Sequence, residues 1–189
     1  MNQLTNHHCR MSQTPANQST CCQRVNKITA PEVFWLWAIH YWVQSQVNKS
    51  DPIPMFARAF YQTKITRNRL DHRAAEFDYS LSILMEFSNK PLSVGCPCCC
   101  GFLGKMEQTI LGCMALQQQD HDSKMVAAII LKSILPELLA NTLLDTFSDL
   151  AEASLVNGMK LPVRPLYLDL ATNAHSSHNI SPNQIEAIN

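Results

Sequence analysis

The segment VFWLWAIHYWV, residues 33–43, decides the class of the fold. Trp35, Ile39 and Trp42 recur at the three- and four-residue spacing that places side chains on one helix face. A helix that crosses a bilayer needs about 20 apolar residues, and this segment has only half that length. We therefore predict a helix whose aromatic face packs in a core or against another subunit. Stacking on bases or on a cofactor is the alternative use of such aromatic density.

The residues before this segment predict where the helix begins. Thr29 is a suitable cap, Pro31 fits the first turn, and Glu32 would lie at the positive end of the helix dipole. We expect the helix to continue to about Val47. His40 lies within it and is expected to be a packed or hydrogen-bonded histidine.

Similar apolar periodicity predicts further helices, whereas strand-type alternation is scarce and the chain has only 5 glycines. The expected segments are residues 55–65, 67–87, 105–119, 124–135 and 136–156. Asp122 or Ser123 is the expected cap of the fourth of these, and Gly158 should stop the last. The sequence therefore predicts a mainly α protein, a helical domain with a small cysteine-rich zinc-knuckle segment.

Three regions are expected along the 189 residues. Residues 1–29 read as a polar flexible arm, residues 30–165 as the helical domain with its cysteine-rich metal segment at 93–116, and residues 166–189 as a strap and flexible tail. The polar start lacks an apolar signal-peptide region, and no membrane span is evident. We therefore expect a cytoplasmic protein whose thiols stay reduced.

The segment SVGCPCCCGFLG, residues 93–104, contains four of the eight cysteines. Cys96 and Cys99 frame the C-P-x-C spacing of a zinc knuckle, in which two thiolates reach one ion at about 2.3 Å. Cys113 follows further along, again after a glycine, and supplies a third candidate ligand. The fourth could be Cys98, Cys100 or His121. An iron–sulfur cluster is the less favoured cofactor, and free cysteines packed as small apolar residues are the structural alternative.

The basic residues concentrate in one stretch, although the chain has 15 basic and 15 acidic side chains in all. The stretch scans as helix, turn, helix, a motif that places its second helix in a DNA major groove. A solvated helix face is the plainer interpretation. The candidate phosphate contacts are Arg58, Lys64, Arg67, Arg69 and Arg73.

Several enzyme classes find no support in the sequence. The glycines never form a dinucleotide-binding or phosphate-binding loop. The segment Asp120–Asp122 is short and sits in an expected linker, and no base or oxyanion feature accompanies any cysteine. We therefore expect a protein that is not an enzyme.

Three short runs resemble one family, the C subunit of the flagellar master transcriptional activator and its relatives that activate conjugative transfer genes. The runs are ARAFY (57–61), SLSILMEF (80–87) and PLSVGCPCCCGF (91–102), and the resemblance covers residues 31–116. The family is mostly helical and binds zinc through a CxxC…CxxC set after a helical hairpin. The resemblance implies that Cys96, Cys99 and Cys113 are zinc ligands. Leu116 occupies the position of the family's fourth cysteine, so a neighbouring thiol such as Cys100 would have to replace it.

These observations lead to a functional hypothesis. The chain is expected to be a zinc-stabilised transcriptional activator subunit that binds double-stranded DNA within a hetero-oligomer. The resemblance further implies a small helical partner subunit and action through RNA polymerase. The alternative is a metal- or redox-responsive helical interaction protein that does not bind DNA.

Overall fold

The computed structural model describes residues 23–24, 27–65, 70–95 and 102–178. This part of the chain contains seven helices and two very short strands. The helices are α1 (Ala30–Asn48), α2 (Ile53–Gln62), α3 (Leu70–Phe87), α4 (Lys105–Gln117), α5 (His121–Lys132), α6 (Glu137–Val156) and α7 (Pro165–His178), and the strands are β1 (Gln23–Arg24) and β2 (Phe102–Leu103). The prediction of a mainly α protein is confirmed.

Helix α4 forms the centre of the fold, since every residue from Met106 to Gln117 is buried. It packs against α1, α5, α6 and α7. The helix is enclosed by its neighbours on every side, although four of its buried residues are polar: Glu107, Gln108, Thr109 and Gln117. Polar groups on it find partners inside the protein. The Gln108 side-chain amide, for example, donates to the carbonyl of Leu103 at 2.7 Å.

The predicted aromatic face of α1 lies in the core beside α2 and α3. Trp35, Phe56, Phe60 and Phe77 are all fully buried, and the ring centroids of Trp35 and Phe77 are 5.3 Å apart. Edge-to-face and tilted pairs of this kind stabilise a core beyond the area they bury. Among the described residues, the indole N–H of Trp35 has no hydrogen-bond partner and lies in this ring cluster.

Helix α1 begins as the sequence predicts. Thr29 is the residue before its first turn, and both its amide and its hydroxyl donate to Oε2 of Glu32, at 2.8 and 2.9 Å. Glu32 is only 1% exposed.

Glu32 has a second set of partners far along the chain, where Arg164 donates to both carboxylate oxygens at 2.5 and 2.6 Å. The Tyr167 hydroxyl donates to the same carboxylate at 3.2 Å.

Residues that the sequence suggested as a strap and tail include a helix, α7, which packs against α4 and α5. Pro165 stands in its first turn, where a proline is compatible with helix formation. The approach of α7 to α4 depends on Gly112, because a Cβ there would lie 3.0 Å from Cβ of Tyr167. The segment therefore adds a structured layer to the core.

Two helix ends can be compared with their predicted positions. Helix α5 starts three residues early relative to the prediction, because Asp120, rather than Asp122 or Ser123, caps it by accepting from the Ser123 amide at 3.0 Å. Helix α6 ends as predicted, with Gly158 at a positive φ of 76°. The Gly158 and Met159 amides donate back into the last turn of α6, which is the Schellman pattern.

No helix in the described ranges combines the length and the apolar character needed to span a bilayer.

Candidate metal centre and basic face

The residues on either side of the cysteine run both form hydrogen bonds to one buried side chain, that of Glu107. Its Oε2 accepts from the amide of Gly95 at 2.8 Å and from the amide of Gly104, which is the cap residue of α4. Gly95 directly precedes Cys96, and Gly104 lies just beyond β2. The segment between these glycines therefore starts and ends at one carboxylate.

Backbone contacts with Ser93 tighten the same junction. Its carbonyl accepts from the Met106 amide at 3.0 Å, and its hydroxyl accepts from the Lys105 amide at 3.1 Å. A Cβ at Gly104 would lie 2.2 Å from the Ser93 carbonyl oxygen and 2.7 Å from the Gly95 nitrogen. The backbone at residues 93–95 therefore lies too close to residue 104 for any residue other than glycine at that position.

His40 of α1 contacts the other oxygen of this carboxylate. Its Nε2 donates to Oε1 of Glu107, and its side chain is 20% exposed. The prediction that His40 is a hydrogen-bonded histidine is confirmed. Glu107 itself is 1% exposed, so nearly all of its solvation is replaced by these three donors. We refer to His40, Gly95, Gly104 and Glu107 as the Glu107 clamp.

A short strand pair ends one residue before Gly104 of the clamp. Strand β1 pairs with β2 in antiparallel register, with Gln23 opposite Leu103 and Arg24 opposite Phe102. Gln23 follows Cys22 directly in the sequence. Residues 23–24, near the end of the predicted arm, therefore lie beside residues 102–103, which follow the cysteine run.

The predicted ligands of the cysteine run, Cys96, Cys98, Cys99 and Cys100, lie outside the described residues. In the part of the chain that the structure describes, no group of three or more His, Cys, Asp or Glu side chains could hold a metal ion. The chemistry of the run itself suits zinc, because thiolates spaced as in Cys96 and Cys99 are its usual ligands. The clamp joins Gly95 and Gly104, which border the run on either side.

Cys113 is the one predicted cysteine ligand that lies within the described residues. It is fully buried in α4, and its thiol donates to the Ala127 carbonyl of α5 at 3.8 Å. Burial raises the pKa of the Cys113 thiol well above its usual range. Zinc binds the thiolate. Cys113 is therefore a neutral, packed thiol in this structure, and its role as a zinc ligand stays a prediction because Cys96 and Cys99 lie outside the described residues.

His121 is placed beyond the far end of α4. Helix α4 has 13 residues, a length of about 20 Å, and the clamp lies at its first turn. His121 follows its last turn as the first residue of α5 and is exposed. His121 as the fourth ligand stays a prediction, because the cysteines that it would join lie outside the described residues.

The basic residues lie around the connection between α2 and α3, which pack against each other. Arg58 on α2 and Lys64 just after it are exposed. Lys64 has a positive φ of 62°, and its carbonyl accepts from the Asn157 side chain at 3.0 Å. Arg73 on α3 donates through Nη1 to the Asp149 carbonyl of α6 at 2.7 Å. Arg67 and Arg69 lie outside the described residues.

Sequence reasoning missed Glu107. A signal was present, because a glutamate three residues after a helix cap is the second half of a capping box. Gly104 and Glu107 have this spacing, and an apolar run begins three residues later at Ile110. The bond to Gly95 could not be anticipated in this way, since it depends on how the preceding loop returns to α4.

In comparisons with known proteins, no family model, curated protein or solved structure matches this chain.

Proposed function

We propose that this protein is a zinc-stabilised, DNA-binding transcriptional activator subunit that acts in the cytoplasm within a hetero-oligomer and is not an enzyme. The observation that carries the proposal is the pair of packed helices α2 and α3, with Arg58 and Lys64 exposed near their connection. Exposed basic side chains at a helical hairpin are suited to contacts with DNA phosphates. Arg67 and Arg69 belong to the proposed contact set from the sequence. Arg73 is its weakest member, because it already donates to the Asp149 carbonyl.

The metal part of the proposal assigns zinc to Cys96 and Cys99, with Cys100 as an adjacent thiol that could replace the ligand missing at Leu116. The pairing of β1 with β2 supports Cys22 as a further candidate, because it directly precedes a strand that lies beside the end of the cysteine run. Such a site would contribute folding free energy, since thiolate sites form together with the structure around them.

The hetero-oligomer part is supported by the outward face of α1. Val33 and Trp37 are 54% and 38% exposed, and the Trp37 ring stacks on Tyr41 with centroids 5.7 Å apart. Between Val33 and Val47 the helix has no Asp, Glu, Lys or Arg. Aromatic side chains without charge are typical of the centre of protein interfaces. We assign this face to a small helical partner, and assign contact with RNA polymerase to the complex that results.

Salt dependence tests the DNA-binding proposal. Binding to a duplex, with the partner present, should weaken steeply as salt increases, and each phosphate contact removed should lower the log–log slope by about 1. We expect Arg58→Gln and Lys64→Gln each to show this decrease without any change in thermal unfolding. Lys124→Gln, on the exposed surface of α5, is the matched control. Equal slopes in all four proteins would overturn the assignment of α2 and its following turn to DNA.

Metal analysis of the purified, reduced protein tests the zinc proposal. Cys96→Ser and Cys99→Ser should abolish bound zinc and destabilise the middle of the chain. Cys113→Ala should retain the metal if Cys113 is a packed thiol. Wild-type protein without stoichiometric zinc or iron, with stability unchanged in the first two variants, would exclude the site.

A metal- or redox-responsive interaction protein is the second candidate. It is supported by the Glu107 clamp, which joins the residues that border the cysteine run and contains none of the basic residues. Oxidant should then change metal content or oligomeric state while DNA affinity is absent at any salt concentration.

A further inference from the structure

We propose that Asn157 is a positioning residue for DNA binding: it holds the backbone turn at Lys64 in place and so fixes where this lysine can meet a phosphate. The inference rests on the proposed DNA-binding function and deepens it. It assigns a role to the end of α6, which contributes no basic side chain to the proposed contact set.

Lys64 has a left-handed backbone conformation, with a φ of 62°. A residue with a Cβ is disfavoured in this conformation because the Cβ approaches the following carbonyl oxygen, and glycine is the usual occupant. Among the described residues, two that are not glycine have a positive φ, and both are lysines, Lys49 and Lys64. Each of these turns therefore has a conformational cost that glycine would avoid.

The same turn ends three helices of the protein. After α1, α2 and α6, the amides of two successive residues donate back into the last helical turn, in the Schellman pattern. The left-handed residue is Lys49 after α1, Lys64 after α2 and Gly158 after α6. A cation near a helix C-terminus interacts favourably with the helix dipole, which offsets part of the cost for both lysines. The dipole therefore gives Lys64 no role that Lys49 lacks.

Lys64 differs from Lys49 in how its backbone is held. The Asn157 side-chain amide donates to the Lys64 carbonyl at 3.0 Å, although the two residues are 93 positions apart. The same amide group donates to the Ala153 carbonyl of α6 at 2.7 Å, which fixes its direction. No side chain among the described residues donates to the carbonyl of Lys49. The turn at Lys64 is therefore the one that is tied to another helix.

Burial fixes the next residue of the turn. Ile65 is 3% exposed, and its amide donates to the Phe60 carbonyl at 2.9 Å, whereas Lys64 is exposed. A strained backbone conformation persists where its surroundings over-determine it, and such positions cluster at binding sites. Ile65 and Asn157 together hold the backbone of Lys64, and the lysine side chain stays accessible to an anion.

The first experiment compares Asn157→Ala with Asn141→Ala, a control at an exposed site on the same helix. Binding of the full-length protein to a short DNA duplex of mixed sequence is measured over a range of salt concentrations. Loss of one phosphate contact lowers the log–log slope by about 1. We expect this decrease in Asn157→Ala, although the substituted side chain carries no charge, and a wild-type slope in Asn141→Ala.

A double variant tests whether Asn157 acts through Lys64. The combination of Lys64→Gln with Asn157→Ala should have the slope of Lys64→Gln alone, because both substitutions remove the same contact. Decreases that add together would show that Asn157 acts independently of Lys64, and would overturn the positioning role.

Glycine substitutions test why lysine stands at this turn. Lys64→Gly and Lys49→Gly each remove the left-handed strain and should raise the midpoint of thermal unfolding by about 2–4 °C. Only Lys64→Gly should also lower the salt slope, by about 1. A lower midpoint in both variants, or an unchanged slope in Lys64→Gly, would overturn the proposal.

The outcomes separate this proposal from the one on which it rests. Wild-type protein that does not bind the duplex at low salt removes the DNA-binding function, and the positioning role falls with it. Salt-dependent binding by wild type, with equal slopes in Asn157→Ala and Asn141→Ala, leaves DNA binding intact and overturns the positioning role alone.

Discussion

Glu32 and Glu107 occupy equivalent places in two helices and have different partners. Each lies three residues after its helix cap, each is 1% exposed, and each accepts from the amide of the cap residue. The charge of Glu32 is matched by the guanidinium of Arg164, the residue directly before α7. Glu107 is held by two backbone amides and by His40.

The difference teaches how one local motif serves two purposes. A permanently charged partner compensates the burial of Glu32 and fastens the start of α1 to the start of α7. Backbone partners at Glu107 fasten two pieces of loop instead. The bonds of Glu32 join two helices, whereas the bonds of Glu107 join Gly95 to Gly104, the residues on either side of the cysteine run.

The largest expected effect is from removing the cation of the first pair. Arg164→Met leaves Glu32 buried without its charged partner and should lower the free energy of unfolding by about 3–5 kcal/mol. Urea denaturation followed by far-UV circular dichroism measures this change. The matched control, Arg58→Met at an exposed site, should stay within about 0.5 kcal/mol of wild type. A loss below about 1 kcal/mol in Arg164→Met would show that the pair does not secure α7.

A smaller effect is expected from adding one methyl group to the clamp. Gly104→Ala places a Cβ 2.2 Å from the Ser93 carbonyl oxygen, which forces the loop away from α4. Overpacking of this kind should destabilise the protein by about 1–3 kcal/mol, as measured by thermal or urea unfolding.

Gly158→Ala is the contrasting variant for this test. A Cβ at Gly158 meets nothing within 4 Å, and only its positive φ of 76° opposes the substitution. Its cost should be about 1 kcal/mol, without any change in amide exchange at Gly95. Equal exchange in both variants would argue that the close approach at Gly104 does not hold the loop.

The smallest predicted effect is the change with pH in the free energy of unfolding that Glu32 contributes. Burial alone would raise the pKa of this carboxyl, but hydrogen bonds from Arg164 and Thr29 outweigh it and hold the pKa below the ordinary value of 4.5. The folded state therefore binds fewer protons than the unfolded state in this range. The resulting stability is complete above pH 4.5 and is lost as the pH falls through the lower pKa of the folded protein.

Unfolding free energies of wild type and Glu32→Gln, measured from pH 7 downwards, test this expectation. Wild type should be the more stable at neutral pH, and the difference should narrow below pH 4.5. Two curves that stay parallel into acid would contradict it.

Much of the helical architecture follows from the sequence. The spacing of Trp35, Ile39 and Trp42 predicted the buried face of α1, and Gly158 predicted the end of α6. These signals are local, because periodicity and caps depend on residues within one or two turns. Helix α7 was missed as a helix because its apolar run is short, and its position depends on the distant contacts of Tyr167.

The candidate site was less predictable for the same reason. Spacing along the chain grouped Cys113 with Cys96 and Cys99. This grouping stays a prediction, because only Cys113, whose thiol donates to the Ala127 carbonyl of α5, lies within the described residues. The clamp likewise depends on the return of the loop at Gly95, which no pattern within the run encodes. Sequence spacing identifies ligand chemistry, whereas packing decides which side chains meet.

The bond between Glu32 and Arg164 has a consequence for the order of events during synthesis. The two residues are 132 positions apart. As the chain emerges from the ribosome, α1 must wait for most of the later helices before its buried carboxylate can find its cation. The start of α1 is therefore completed only after residue 164 has been made, whereas its aromatic face can pack much earlier, because α2 and α3 follow it directly in the chain.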